Sequence, residues 1–216
     1  MKGTTKVTSE GRRTLFPTAM AYFATLPDGW ASFPSCLART ALLGGLRGRG
    51  ALDDLGALPS ELQPLVAHLA TETEWLPEVV HVATLLAIRD ARFSDSAHAD
   101  DDFLAWMAQL NRDLLGGPML ADELGASGPD ALVPRLPELW QLFHRGTPSA
   151  LREHATGRVQ LAFTHPRQLF PPLALETHRR TLALSLAKAG AVAPHVLLRT
   201  EAGGDTVTTV FEATWQ

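Results

Sequence analysis

Apolar and polar positions alternate from Arg158 to Thr164, placing Val159, Leu161 and Phe163 on one face, the period-two signature of a strand. The alternation returns from Thr206 to Trp215, where Val207, Thr209, Phe211, Ala213 and Trp215 share a face rich in β-branched and aromatic residues. His195 to Thr200 predicts a third strand, joined to the last one by a Gly203-Gly204-Asp205 turn. Between these strand signals the period changes. Pro172 to Gly190 carries Leu175, His178, Leu182, Leu186 and Ala189 on one helical stripe, leaving Thr177, Arg180, Thr181 and Lys188 for water. An edge strand is expected from Ala150 to His154, before an Ala155-Thr156-Gly157 turn. The last third therefore spells strand, strand, helix, strand, strand.

The preceding two thirds spell helices only. Expected helices run from Pro17 to Leu26, ended by Pro27-Asp28-Gly29, and from Pro34 to Leu46, dissolved by Gly44, Gly45, Gly48 and Gly50. Ser60-Glu61-Leu62-Gln63 has the form of a capping box before Leu65, Val66 and Leu69. Pro77 opens a helix whose Val79, Val80, Val82, Ala83, Leu85, Leu86 and Ile88 are apolar nearly all round, which marks a buried central helix. Asp100, Asp101 and Asp102 begin another, where carboxylates suit the positive end of the helix dipole. It carries Phe103, Leu104, Trp106, Met107, Leu110 and Leu114 and stops at Gly116-Gly117-Pro118. Gly125 to Pro134 is a loop, and Pro137 opens a short helix closed by Arg145-Gly146. The fold class is α+β, a helical block packed on a C-terminal antiparallel sheet of ββαββ order. The expected organisation is one compact domain: a loose terminus at 1–13, a helical part at 14–148 and a sheet part at 149–216.

Composition adds limits. With 19 Lys and Arg against 23 Asp and Glu, the net charge of −4 offers nothing to a polyanion, so nucleic-acid binding is disfavoured. A single cysteine, Cys36, excludes an internal disulfide framework and fits a reducing compartment. No apolar run approaches the roughly 20 residues that span a bilayer, and no signal peptide is visible. The expectation is a soluble cytoplasmic protein without a membrane partner.

The order of helices, strand pair, helix, strand pair resembles the heme–nitric-oxide/oxygen-binding (H-NOX) domains and their relatives, the four-vinyl-reductase type included. Leu142-Phe143-His144-Arg145-Gly146-Thr147-Pro148 is similar to the exit of the H-NOX helix that bears the proximal histidine. Phe163-Thr164-His165-Pro166-Arg167 takes the place of the Tyr-x-Ser-x-Arg motif that grips the heme propionates in that family. Yet Pro137 and Glu138 stand where an iron ligand is expected, and of the propionate motif only Arg167 survives. A second resemblance is to an uncharacterised, largely myxobacterial family. It rests on Leu26-Pro27-Asp28-Gly29 with Phe33-Pro34-Ser35-Cys36, on Trp140 to Thr147 and on Phe211 to Trp215. Together they imply a heme-free branch of the H-NOX-like fold with no cofactor.

Each tempting residue also has a plainer reading. His144 and Arg145 can cap a helix end, where cations meet free carbonyls. His165 and Arg167, with Arg179 or Arg180, can form an anion site or simply a solvated surface. His98 beside Asp100, Asp101 and Asp102 lacks the convergent oxygens a hard cation needs, so no metal is expected. His81 reads as a core histidine made neutral by burial. Cys36 reads as a packed, inert thiol, and Trp75, Trp106, Trp140 and Trp215 as core filling. Gly44 to Gly50 lacks the strand before and helix after that a phosphate loop requires.

No nucleophile elbow, catalytic triad, zinc set or dinucleotide fingerprint is present, which disfavours an enzyme. The sequence reading is a non-catalytic regulatory or sensory domain that takes a small apolar or anionic ligand, or a signalling partner protein, without heme. The ligand residues would be Trp140, His144, His165 and Arg167. The alternative is a purely structural, homo-oligomeric interaction module that dimerises or docks a partner through the sheet or the Phe170-Pro171-Pro172 corner, and the weaker one an enzyme of unknown class. An internal pocket of several hundred cubic ångströms would favour the ligand, a filled interior the module.

Overall fold

A computed structural model of the chain describes residues 16–47, 50–52, 56, 58–72, 74–117, 120 and 128–216, with side chains left out at 47 and 68–72. The expected loose terminus at 1–13 lies outside the described residues. The α+β architecture is as the sequence predicts.

The larger sheet holds β4 (Ser149–Ala155), β5 (Arg158–Pro166), β6 (His195–Gly203) and β7 (Thr206–Thr214) in the order β4-β5-β7-β6, all antiparallel. Leu161 lies opposite Phe211 in the β5–β7 register, and both are buried on one face. The long helix Pro172–Lys188 runs across that face. Thr177, assigned to water by its helical position, is buried; Lys188 is exposed. A stripe wider than expected is the reason, since this helix packs on the sheet and on a second helix at once.

The helical block opens with α1 (Pro17–Thr25), α2 (Ala41–Arg47) and α3 (Gln63–Glu72). Then come α4 (Glu78–Phe93), α5 (Ala99–Gly116), the short α6 (Pro129–Leu132) and α7 (Leu136–Gln141); the long sheet-covering helix is α8. Helix α4 is buried nearly all round, from Glu78 to Asp90. The buried Asp90 carboxylate accepts from the backbone N–H groups of Thr18 and Ala19 at 2.8 and 3.1 Å, capping α1 from a distance in sequence.

Three expectations need correction. The helix expected from Pro34 to Leu46 starts only at Ala41, because Phe33 has φ +53° and Leu37–Arg39 is a strand, β1. β1 pairs with β2 (Trp75–Pro77) and β3 (His144–Arg145) in a small antiparallel sheet, so distant partners override local helix propensity. The capping box does not form, as Ser60 Oγ bonds the Glu61 carboxylate and Gln63 Nε2 reaches the Leu58 carbonyl. Within the loop expected from Gly125 to Pro134, Pro129 starts α6, its ring pre-setting φ at a first helical position.

Gly146 shows how tightly the small sheet closes. Its φ is +72°, and a Cβ there would lie 2.0 Å from the Ser35 carbonyl oxygen, so β3 can leave past β1 only on glycine. Two buried clusters make the core, one around α1, α4 and α5 and one around the sheet and the rest of α8. Trp140 and Leu198 pack against both.

Candidate functional site

Where the two clusters meet, α4, α5 and α8 face the sheet across a cavity of about 170 Å³. Leu85, Met107, Leu110, Leu182, Leu161 and Phe211 give it apolar walls. Gly45 of α2 forms part of its rim, where a Cβ would come within 2.8 Å of Leu110 Cδ2. Three histidines, His81, His144 and His178, line one end.

Behind two of them sits Glu78, the first residue of α4, with no exposed surface. Its Oε2 accepts from His144 Nδ1 at 2.8 Å and its Oε1 from His81 Nδ1 at 3.1 Å. His81 lies one turn along the same helix, while His144 arrives on β3 from 66 residues away in sequence. Burial alone would push the Glu78 carboxyl up. The charge and hydrogen bond of His144, followed by those of His81, more than reverse this and hold it below the usual carboxylate range. The positive end of α4 adds in the same direction. Glu78 is therefore a buried anion whose compensation is two imidazoles.

His178 differs. Its Nε2 is buried and has no hydrogen-bond partner. Burial first, and then the electrostatic effect of neighbouring His144, push its pKa down to about 3, so the ring is neutral at ordinary pH. It meets Trp140, His144 and Phe170 edge to face, with ring centroids 5.1, 5.4 and 5.1 Å away. Trp140 stacks on His144 at 3.9 Å and 17°, and its Nε1 donates to the Thr147 carbonyl at 2.9 Å.

Of the four residues singled out from sequence, the structure brings Trp140 and His144 together on the cavity wall. His144 and Arg145 do not cap a helix. They form β3, with His144 on Glu78 and the Arg145 guanidinium 3.9 Å over the Trp75 ring. His165 and Arg167 do not line the cavity. His165 Nδ1 donates to the Pro166 carbonyl and its Nε2 meets the Thr209 hydroxyl, both at 2.9 Å, so neither nitrogen is free. Burial lowers its pKa, against the pull of the Pro166 carbonyl. Arg167 is exposed and donates to the Gly204 carbonyl.

Sequence reasoning passed over Glu78 and read His81 as plain core. The available signal was a carboxylate and an imidazole three residues apart within an otherwise apolar helix, a costly pairing unless each satisfies the other. Cys36 is buried, its thiol pushed up first by burial, as an inert thiol should be. Trp75, Trp106 and Trp215 are half-buried at the core's edge. Among the described residues no group of His, Cys, Asp or Glu is arranged to hold a metal ion.

No family model matches the chain, and no curated protein sequence is similar to it. Solved structures are more informative. The Fe(II) unliganded H-NOX protein from K. algicida superposes with a TM-score of 0.51 over 82% of this chain and 97% of its own, at 8% identity. A structure from work on heme distortion in the H-NOX family gives 0.53, with 82% and 95% covered, also at 8% identity. The fold is H-NOX-like. At such identity the likeness establishes architecture and nothing about chemistry. In this H-NOX-like fold, the cavity lies between the helical block and the sheet, and no helix among the described residues is long and apolar enough to cross a membrane.

Proposed function

We propose that this chain is a non-catalytic sensory domain that takes one small, largely apolar molecule into the cavity between the helices and the sheet, without heme. The observation that carries this reading is an apolar cavity of about 170 Å³ lined in part by His178, whose Nε2 is buried and unpartnered. An apolar cavity of roughly 150 Å³ is enough to hold benzene, whereas sites for drug-sized molecules run to roughly 300–1,000 Å³. The expected ligand is thus nearer one or two rings than a cofactor.

Heme fits these residues poorly. Among the described residues no Lys or Arg lines the cavity to meet propionates, and Arg167 is engaged elsewhere on the surface. The cavity walls come from both the 14–148 and 149–216 parts, which favours treating them as a single unit. A change of ligand would then be felt by the surface that a signalling partner meets.

The test is the absorption spectrum and native intact mass of the purified chain, followed by calorimetric titration with indene, a two-ring hydrocarbon. The expected result is no Soret band, together with either a small bound mass per chain or uptake of indene by the ligand-free preparation. A Soret band would overturn the heme-free reading. A chain that carries no added mass and takes up no indene would overturn the ligand itself and leave an interaction module.

A further inference from the structure

We infer that the cavity selects an uncharged molecule bearing a hydrogen-bond donor, an N–H or O–H, directed at helix α8. This inference rests on the ligand-binding reading above and specifies the chemistry of that ligand.

The hydroxyls that α8 contributes to the wall have no protons left to give. Thr177, Thr181 and Ser185 line the cavity, and each hydroxyl has already donated its only proton to the carbonyl one turn back. Thr177 gives to Leu173 at 3.0 Å, Thr181 to Thr177 at 2.9 Å and Ser185 to Thr181 at 2.9 Å. A hydroxyl has one proton and two lone pairs, so what these side chains keep is acceptor capacity. Asn111 of α5 gives one amide N–H to Thr181 Oγ1 at 2.7 Å, which uses one of those lone pairs.

His178 stands in the same row, one residue past Thr177, with Nε2 buried and unpartnered. A ligand donor on Nε2 holds the neutral ring in the tautomer with its proton on Nδ1 and satisfies an otherwise orphaned buried atom. An acceptor-only ligand directed at α8 would instead face its hydroxyl oxygens lone pair to lone pair. A charged ligand is disfavoured from both sides. An anion finds no lysine or arginine on the described wall and lies near the buried Glu78 carboxylate. A cation finds that carboxylate already closed off by two imidazoles.

The isosteric set indole, benzofuran and indene tests this by calorimetry on the full chain. The three share a flat two-ring shape, and only indole carries an N–H. Indole is expected to bind about tenfold more tightly than the other two, the scale of one buried hydrogen bond gained. In His178→Phe that preference is expected to shrink several-fold while indene still binds. Equal affinities, or benzofuran preferred, would overturn donor selection and leave the apolar cavity reading standing. Failure of all three to bind would remove both.

Discussion

The two polar walls of the cavity obey opposite rules. On the α4 and β3 side, Glu78, His81 and His144 satisfy one another, and the carboxylate has no exposed surface at all. On the α8 side, His178 is neutral and its Nε2 has nothing to bond. A closed hydrogen-bonded network around a buried charge holds a structure in register, because no member can leave without stranding another. A buried group left open costs stability in the free protein and recovers it from whatever fills the gap. One wall therefore closes on itself, and the other keeps an unpartnered nitrogen.

Removing the anion should break the contrast most violently. Glu78→Ala leaves two buried imidazoles without compensation and detaches β3 from α4, so a loss of about 3–5 kcal/mol is expected in denaturant unfolding. A loss under 1 kcal/mol would mean that the cluster is an accessory.

Acid should attack the two walls in succession. In an unfolded chain a histidine takes up its proton near 6.5, but folded His178 does so only at about 3. Between these values the unfolded state holds more protons, so stability falls as pH drops below about 6.5, by at most about 1.4 kcal/mol per pH unit from this group. Glu78, held below its ordinary 4.5, stabilises the fold above that value, and its contribution is lost as pH falls further. Urea titrations from pH 7 to 4 should show the first phase in the parent protein and a shallower one in His178→Phe. Identical slopes would place the His178 proton elsewhere.

At neutral pH the same His178→Phe change should move stability by no more than about 1 kcal/mol in either direction, since it replaces an unsatisfied polar edge with an apolar one beside a cavity. The smallest effect is expected at Arg167. Arg167→Ala removes an exposed contact to Gly204 and should stay within about 0.5 kcal/mol with ligand affinity unchanged. A large loss of affinity there would extend the site to the far end of β5.

How much of this could be read from the chain follows from how local each feature is. β5, β7 and α8 announce themselves because period two and period 3.6 are written in consecutive residues. β1 does not, since three residues, Leu37 to Arg39, carry no period and become a strand only by meeting Trp75–Pro77 and His144–Arg145. The candidate site inherits that difficulty. Trp140 and His144 were legible as a polar and aromatic break near a helix end, but the carboxylate that orients His144 sits 66 residues earlier. At the first turn of a helix, a glutamate ordinarily signifies nothing more than dipole compensation. His165 and Arg167 looked like one site because they are neighbours in sequence. The strand points His165 inward onto Thr209, while Arg167 lies beyond the strand end on the surface.

Gly45 offers a handle of a different sort. It stands inside helix α2, where replacing glycine with alanine ordinarily strengthens a helix by about 1 kcal/mol. Here the added methyl would collide with the end of Leu110, a movable part of the cavity wall. A lineage or an engineer could thus reshape the cavity by a single methyl pressed against Leu110, trading its shape against helix strength while every polar residue of α8 stays as it is.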